Sequence, residues 1–198
     1  AGAACTDVVV IANHSFVSCV AGAGSGGQQS VRVGVRGQFG RTGGVFSYAA
    51  PEVLNVSRVS SAGGVLSVRG SSLGRPIDEV IVRVDGGACI GVEHEANHSM
   101  LRCRVGASTR GGLGAAVLVS VQGQTGAGVM DYLAPEVHNA SAADSGGGVV
   151  TVYGAHFGVA GASVRVGDTV CEDVSYVEEH AALRCRVGGA SGAVQSGY

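Results

Sequence analysis

Apolar and polar residues alternate with a period of two through much of the chain. In Glu79–Asp85, Val80, Val82 and Val84 fall on one face, with Arg83 and Asp85 on the other. In Ala115–Gln122, Val117, Val119 and Val121 alternate with Leu118, Ser120 and Gln122. Leu101, Cys103 and Val105 share a face opposite Arg102 and Arg104, and Leu183, Cys185 and Val187 repeat that order opposite Arg184 and Arg186. A two-residue period puts alternate side chains on opposite faces of a strand, so each segment predicts a half-buried β-strand. No stretch carries a convincing period of 3.6, and 35 glycines are poor helix material. Between the strands lie Ala62-Gly63-Gly64, Asp85-Gly86-Gly87, Arg110-Gly111-Gly112 and Ser145-Gly146-Gly147-Gly148. Short alternating strands with turn signals every 8–12 residues or so predict an all-β sandwich.

The pattern repeats. Cysteines form three equally spaced pairs, Cys5/Cys19, Cys89/Cys103 and Cys171/Cys185, and equivalent members recur about 84 and 82 residues apart. The spacing predicts one internal disulfide per repeat. Phe46-Ser-Tyr48-Ala-Ala-Pro51-Glu-Val53 aligns with Met130-Asp-Tyr132-Leu-Ala-Pro135-Glu-Val137. Each run joins the last strand of one unit to the first of the next, and Pro51 and Pro135 stop strand pairing from running on. Tyr48, Pro51, Tyr132 and Pro135 are therefore candidate junction residues. With no Gly/Ser linker at these points, the units are expected to pack closely. The boundaries implied are the later strands of a first repeat over 1–50, a complete second repeat over 51–135 and the early strands of a third over 136–198. A half-sandwich leaves an apolar face and a sheet edge open, so the chain is expected to be a segment of a longer repeat protein.

In this order the motifs resemble the IPT/TIG family of immunoglobulin-like β-sandwiches, found in plexin-type receptors, fibrocystin-like proteins and some transcription factors. Pro51–Val59 is similar to the opening strand. Gly64-Val-Leu-Ser-Val-Arg-Gly70 with Ser-Ser-Leu-Gly74, and more fully Val149-Val-Thr-Val-Tyr-Gly154-Ala-His-Phe157-Gly158, resemble the family's glycine–strand–glycine–x–x–Phe–Gly signature. Val80–Val84, Gly86-Gly87, Cys89, Leu101-Arg-Cys103, Val117–Val121, Gly123 and Tyr132 follow in family order. Leu73 replaces the usual Phe, and Gly106 and Gly188 stand near a customary Pro. The resemblance implies tandem immunoglobulin-like sandwiches with the paired cysteines of the extracellular versions.

Composition narrows the compartment and the chemistry. The core is valine-rich, with no Trp, four Phe and five Tyr. A disulfide closing a loop of about 15 residues contributes roughly 3 kcal/mol, a large share of a typical stability of about 5–15 kcal/mol. Such staples belong to an oxidising compartment. Net charge is −2 with the signs interspersed, so no basic stripe offers itself to a nucleic-acid backbone. No apolar run approaches the roughly 20 residues of a membrane span. The 13 basic side chains are all Arg, which with heavy Ala and Gly usage reflects a GC-rich coding sequence. All four asparagines stand in Asn-x-Ser: Asn13-His-Ser, Asn55-Val-Ser, Asn97-His-Ser and Asn139-Ala-Ser. These are candidate N-glycosylation sites and imply a secretory route.

Other constellations carry less. His94 with His98, or His180 with Glu178 and Glu179, lack the spacing of a closed zinc site, so these histidines are expected in solvated loops. Asp78, Glu79, Asp85, Glu93 and Glu95 form no calcium loop. Gly22-Ala-Gly24-Ser-Gly26-Gly27 lacks the Lys-Ser/Thr of a phosphate loop and is expected to be a hairpin turn. No nucleophile turn or carboxylate pair stands out. No catalytic residue, metal or cofactor is expected. The leading expectation is a non-catalytic structural or adhesive extracellular repeat, part of a stiff rod, coat or filament at a cell surface such as a cilium. The alternative is the ligand-positioning ectodomain of a receptor. A transcription-factor module conflicts with the cysteines and sequons, and a carbohydrate-enzyme accessory domain lacks aromatic platforms. Expected partners are neighbouring repeats of the same longer chain, other extracellular proteins or copies of itself, and N-linked glycans.

Overall fold

The computed structural model describes residues 4–188; the outermost residues of the two end segments, 1–3 and 189–198, lie outside them. Among the described residues every regular element is a strand. In chain order they are β1 (Thr6–Ala12), β2 (Phe16–Val20), β3 (Gln29–Val35), β4 (Gln38–Phe46), β5 (Glu52–Val56), β6 (Gly64–Ser71), β7 (Val80–Val84), β8 (Gly87–Ala88) and β9 (Ile90–Ala96). They continue as β10 (Met100–Val105), β11 (Ala115–Val121), β12 (Gln124–Met130), β13 (Glu136–Ala140), β14 (Gly147–Ala155), β15 (Arg165–Val166), β16 (Thr169–Val170), β17 (Glu172–Glu178) and β18 (Ala182–Gly188).

The central segment is an immunoglobulin-like sandwich. One four-stranded sheet runs β5-β6-β10-β9 and the other β12-β11-β7-β8. Alternation sets their inner faces. Leu66 and Val68 of β6, Leu101 of β10 and Val117 and Val119 of β11 are all wholly buried. Antiparallel register pairs Cys103 with Leu66 in one sheet and Val119 with Val82 in the other, so apolar rows line both inner faces. The β11–β12 turn is Gln122-Gly123, with φ of 47° and 81°. Positive φ at both central residues makes a two-residue loop whose twist matches the strands it joins. The sandwich closes where β5 lies against β12. A Cβ on Gly126 would fall on the Pro51 carbonyl and one on Gly128 would strike Val53, so glycine is what lets the two strands approach.

The trailing segment repeats the first of these sheets as β13-β14-β18-β17. It has a smaller core of Val150, Val152, Phe157 and Leu183. The leading segment forms two separate hairpins, β1-β2 and β3-β4. Their valines are open to solvent, with Val8 63 % and Val35 63 % exposed. At Gly40 of β4 an added Cβ would meet nothing within 4 Å, whereas Gly126, its equivalent counted from the hairpin turn, is covered by Pro51. Gly22–Gly27 is not a hairpin turn: it carries the chain from the β1-β2 sheet to the β3-β4 sheet, because β2 and β3 do not pair.

Three disulfides join Cys5 to Cys19, Cys89 to Cys103 and Cys171 to Cys185, with Cα–Cα separations of 5.6, 5.7 and 5.6 Å. The second and third lie within cores, while Cys5 and Cys19 are exposed. Both buried cystines have a second sheet beside them, the β7-bearing sheet in the central segment and the two-stranded β15-β16 sheet against β18 in the trailing one.

Candidate functional site: the junctions of the central sandwich

Polar contacts between distant parts of the chain gather at two junctions. The first joins the leading hairpins to the central sandwich. Tyr48 donates its hydroxyl to the Gly22 carbonyl at 2.9 Å, and its backbone N–H donates to Gly26 O at 3.0 Å. A Cβ on Gly24 would run into the Tyr48 ring, so the loop needs glycine there for the ring to lie against it. Phe46 supports that ring edge to face at 5.0 Å. Across the junction, Gln124 donates its side-chain amide to Tyr48 O at 3.0 Å, and Arg75 Nη1 donates to Ala23 O at 3.3 Å.

Asp78 organises the central side of this contact. Its carboxylate accepts from the Arg75 backbone N–H at 2.8 Å and pairs with the Arg75 guanidinium at 3.3 Å. The side chain is only 6 % exposed. Burial pushes the carboxyl up, but hydrogen bonds from the Arg75 side chain, Ser25 and the Arg75 backbone, with the guanidinium charge, outweigh it and hold the pKa below its ordinary value. The hydrogen bond to Asp78 and its charge raise Arg75 in turn.

The second junction joins the central sandwich to the trailing sheet. Ser60 Oγ lies 2.9 Å from His156 Nδ1, and Ser61 Oγ lies 2.9 Å from His180 Nδ1. Ser61 is 1 % exposed, the one buried polar residue among the described residues. It lies just beyond the isolated bridge of Val59 to Tyr132, beside which Leu133 N donates to Val59 O at 2.9 Å. Gly111 completes the seat: with φ of +62°, it brings the 110–112 loop to the trailing segment, where an added Cβ would lie 3.9 Å from Gly158 Cα.

These histidines are therefore not solvated loop residues. His156 and His180 face the preceding sandwich. His94 lies with Nε2 3.1 Å from the Leu73 carbonyl. Tyr176 holds the corresponding place in the trailing sheet, donating its hydroxyl to Phe157 O at 3.3 Å. Both side chains tether the loop after the glycine-bounded strand. Among the described residues no three His, Cys, Asp or Glu side chains gather as a metal site. Three of the acidic residues are engaged elsewhere: Asp78 with Arg75, Asp85 Oδ1 accepting from Ala116 N at 2.9 Å, and Glu95 pairing with Arg102 at 3.5 Å.

Two serine–histidine contacts invite a catalytic reading, and their surroundings do not support it. No carboxylate hydrogen-bonds either ring among the described residues, and the Ser61 hydroxyl is sealed from substrate. General-base activation needs an oriented imidazole and an accessible nucleophile. Two open surface hollows of about 420 and 560 Å³ flank Asp78–His94 and Val105–Arg110 without a nucleophile–base pair. Among the described residues no helix is long and apolar enough to cross a membrane.

The predicted junction residues differ in role. Tyr48 bridges, Tyr132 and Pro51 are buried in the central sandwich, and Pro135 is exposed. Asn13, Asn55 and Asn139 are exposed, and so is Asn97. Asn13 and Asn97 occupy hairpin turns, whereas Asn55 and Asn139 sit at register shifts of β5 and β13. Two of the sequon serines also hold the backbone: Ser57 Oγ accepts from Ser67 N at 2.9 Å and Ser141 Oγ from Thr151 N at 2.9 Å.

Residues 51–133 match the family model of the IPT/TIG domain. No curated protein matches the chain. Among solved structures, SGBP-B from a complex xyloglucan utilization locus in Bacteroides uniformis aligns with 71 % of this chain and 43 % of its own, at 15 % identity and a TM-score of 0.35. A crystal structure with xylogluco-oligosaccharide aligns with 89 % of this chain and 44 % of its own, at 13 % identity and a TM-score of 0.40. The chain spans less than half the length of either structure.

Proposed function

We propose that the chain is a run of consecutive IPT/TIG repeats, divided at 1–50, 51–135 and 136–198, that acts as a non-catalytic structural or adhesive module outside the cell. On this reading the sandwiches stack into a stiff rod, and the glycans at Asn13, Asn55, Asn97 and Asn139 cover its sides. The observation that carries it is the second junction. Ser60 and Ser61 engage His156 and His180 directly, where a flexible array would need only the covalent link. Three disulfides support an oxidising compartment. The partners are further repeats, copies of the same chain or other surface proteins, and the setting is a cell surface or an appendage such as a cilium.

Small-angle scattering of the chain, with electron microscopy of the protein from its native source, tests the rod. Extended particles of constant width are expected. Compact or freely jointed particles would exclude it. Glycopeptide mass spectrometry of the native material should find glycan on the sequons; four bare asparagines would remove the secretory argument.

A further inference from the structure

Three hairpin turns place a histidine in the left-handed region: His14 at φ 67°, His98 at 61° and His180 at 65°. They occupy equivalent places, in β1–β2, β9–β10 and β17–β18. Glycine adopts this conformation without steric cost, and this chain uses glycine at many positive-φ positions. A histidine recurring where glycine would be easier points to a role for the ring.

At His180 that role is visible. The backbone is locked against the trailing segment, with His180 N donating to Gly158 O at 2.8 Å and Phe157 N donating to His180 O at 3.1 Å. The ring is left free to reach the buried Ser61 hydroxyl of the preceding sandwich. His156, also left-handed at 63°, stands beside it on Ser60. The central sandwich has the same backbone lock. His98 N donates to Gly74 O at 2.7 Å, and Leu73 N donates to His98 O at 3.0 Å. Ser72, left-handed at 55°, takes the place of His156. Yet Nε2 of His98 is buried without a hydrogen-bond partner. The leading segment reaches this end of the sandwich through its glycine loop, on the neighbouring Arg75–Asp78 side.

We propose that the left-handed histidine is the docking residue between consecutive repeats, and that His98 with Ser72 forms a socket for the hydroxyl-bearing turn after the opening strand of a preceding IPT/TIG repeat. This rests on the reading of the chain as a repeat array. The partner is defined by the Ser60–Ser61 turn, which presents two adjacent hydroxyls at the end of one sandwich to two left-handed residues of the next. His180 makes this contact through Nδ1, whereas the His98 ring makes no hydrogen bond among the described residues and its Nε2 is sealed from solvent, so the docking contact falls to the His98 nitrogen equivalent to Nδ1 of His180.

The test uses the full chain and a version with residues 51–134 duplicated in tandem. In that version one His98 follows residues 1–50 and the other follows a complete Ser60–Ser61 turn. His180→Gly and each His98→Gly are made separately, with His→Asn as a second variant that also tolerates the left-handed region. Spin-label distances across each junction and thermal midpoints are measured. His180→Gly, and His98→Gly in the second copy, should lose the narrow distance distribution across their junctions. His98→Gly in the first copy should keep its distribution and raise the midpoint by a few degrees, because glycine relieves the turn. Both copies responding alike, or a narrow distribution that survives substitution in the second copy, would overturn the docking role. Distributions already broad at both junctions before substitution would instead exclude the rod.

Discussion

Removing the Ser61 hydroxyl should uncouple the trailing sheet from the central sandwich. Ser61→Ala deletes a contact of 2.9 Å from a site 1 % exposed. Almost no volume is lost, so the cavity term is small. A net hydrogen bond is worth about 0.5–1.5 kcal/mol, and stranding a buried partner costs about 1–3 kcal/mol. His180 is half-buried, so water recovers part of its bonding, and a cost of about 1–2 kcal/mol follows. At about 4–8 °C per kcal/mol, that is a fall of about 4–16 °C in the midpoint of a domain of about 60–100 residues. His180→Ala keeps a Cβ in the same left-handed turn and so removes the ring without relieving the backbone. The double-mutant cycle isolates the pair. Each variant is melted in urea with its disulfides intact, followed by circular dichroism because the chain has no Trp. A coupling energy of about 1 kcal/mol is expected, and a double mutant additive within about 0.3–0.5 kcal/mol would refute the junction as an energetic contact.

Gly126→Ala should destabilise the central sandwich by about 1–3 kcal/mol, because its Cβ falls on the Pro51 carbonyl. Gly40→Ala, with nothing within 4 Å, should stay within about 0.5 kcal/mol; equal effects in thermal melts would contradict the close approach of β5 to β12. Replacing Cys89 and Cys103 together by Ala should cost roughly 3 kcal/mol in urea denaturation, since the cystine closes a 14-residue separation inside the core. The depressed Asp78 carboxyl favours the folded state above its unfolded pKa of about 3.9, and that contribution is lost as pH falls through the lower folded value. Acid titration by circular dichroism should therefore show a smaller loss of stability below about pH 4 in Asp78→Asn than in the parent; identical acid limbs would refute the linkage.

Much of the architecture is written locally. Alternation in β7, β10 and β11 assigns the buried face because side chains on a strand can point only two ways. Recurrent cysteines and Ala-Pro runs are visible along the chain in the same way, and the expected repeat register rests on them. The leading segment is harder to read, since β1–β4 carry strand-like valines without the opposing sheet that would decide their burial. The junction site is legible only in part. Tyr48 and the Ala-Pro runs flag its neighbourhood, but nothing local distinguishes the Gly22–Gly27 crossing from a hairpin turn, or a histidine that meets a distant serine from a solvated one.

Strand type and the division of each strand into two faces are properties of near neighbours, and the residues settle them unaided. Which polar side chains meet is settled only in three dimensions. Ser61 and His180 are 119 residues apart, as Ser60 and His156 are 96. No periodicity links them, because their encounter depends on how the trailing sheet is seated on the central sandwich. The same holds for burial: equivalent cysteines are sealed at Cys89–Cys103 and exposed at Cys5–Cys19, according to whether a second sheet lies over them.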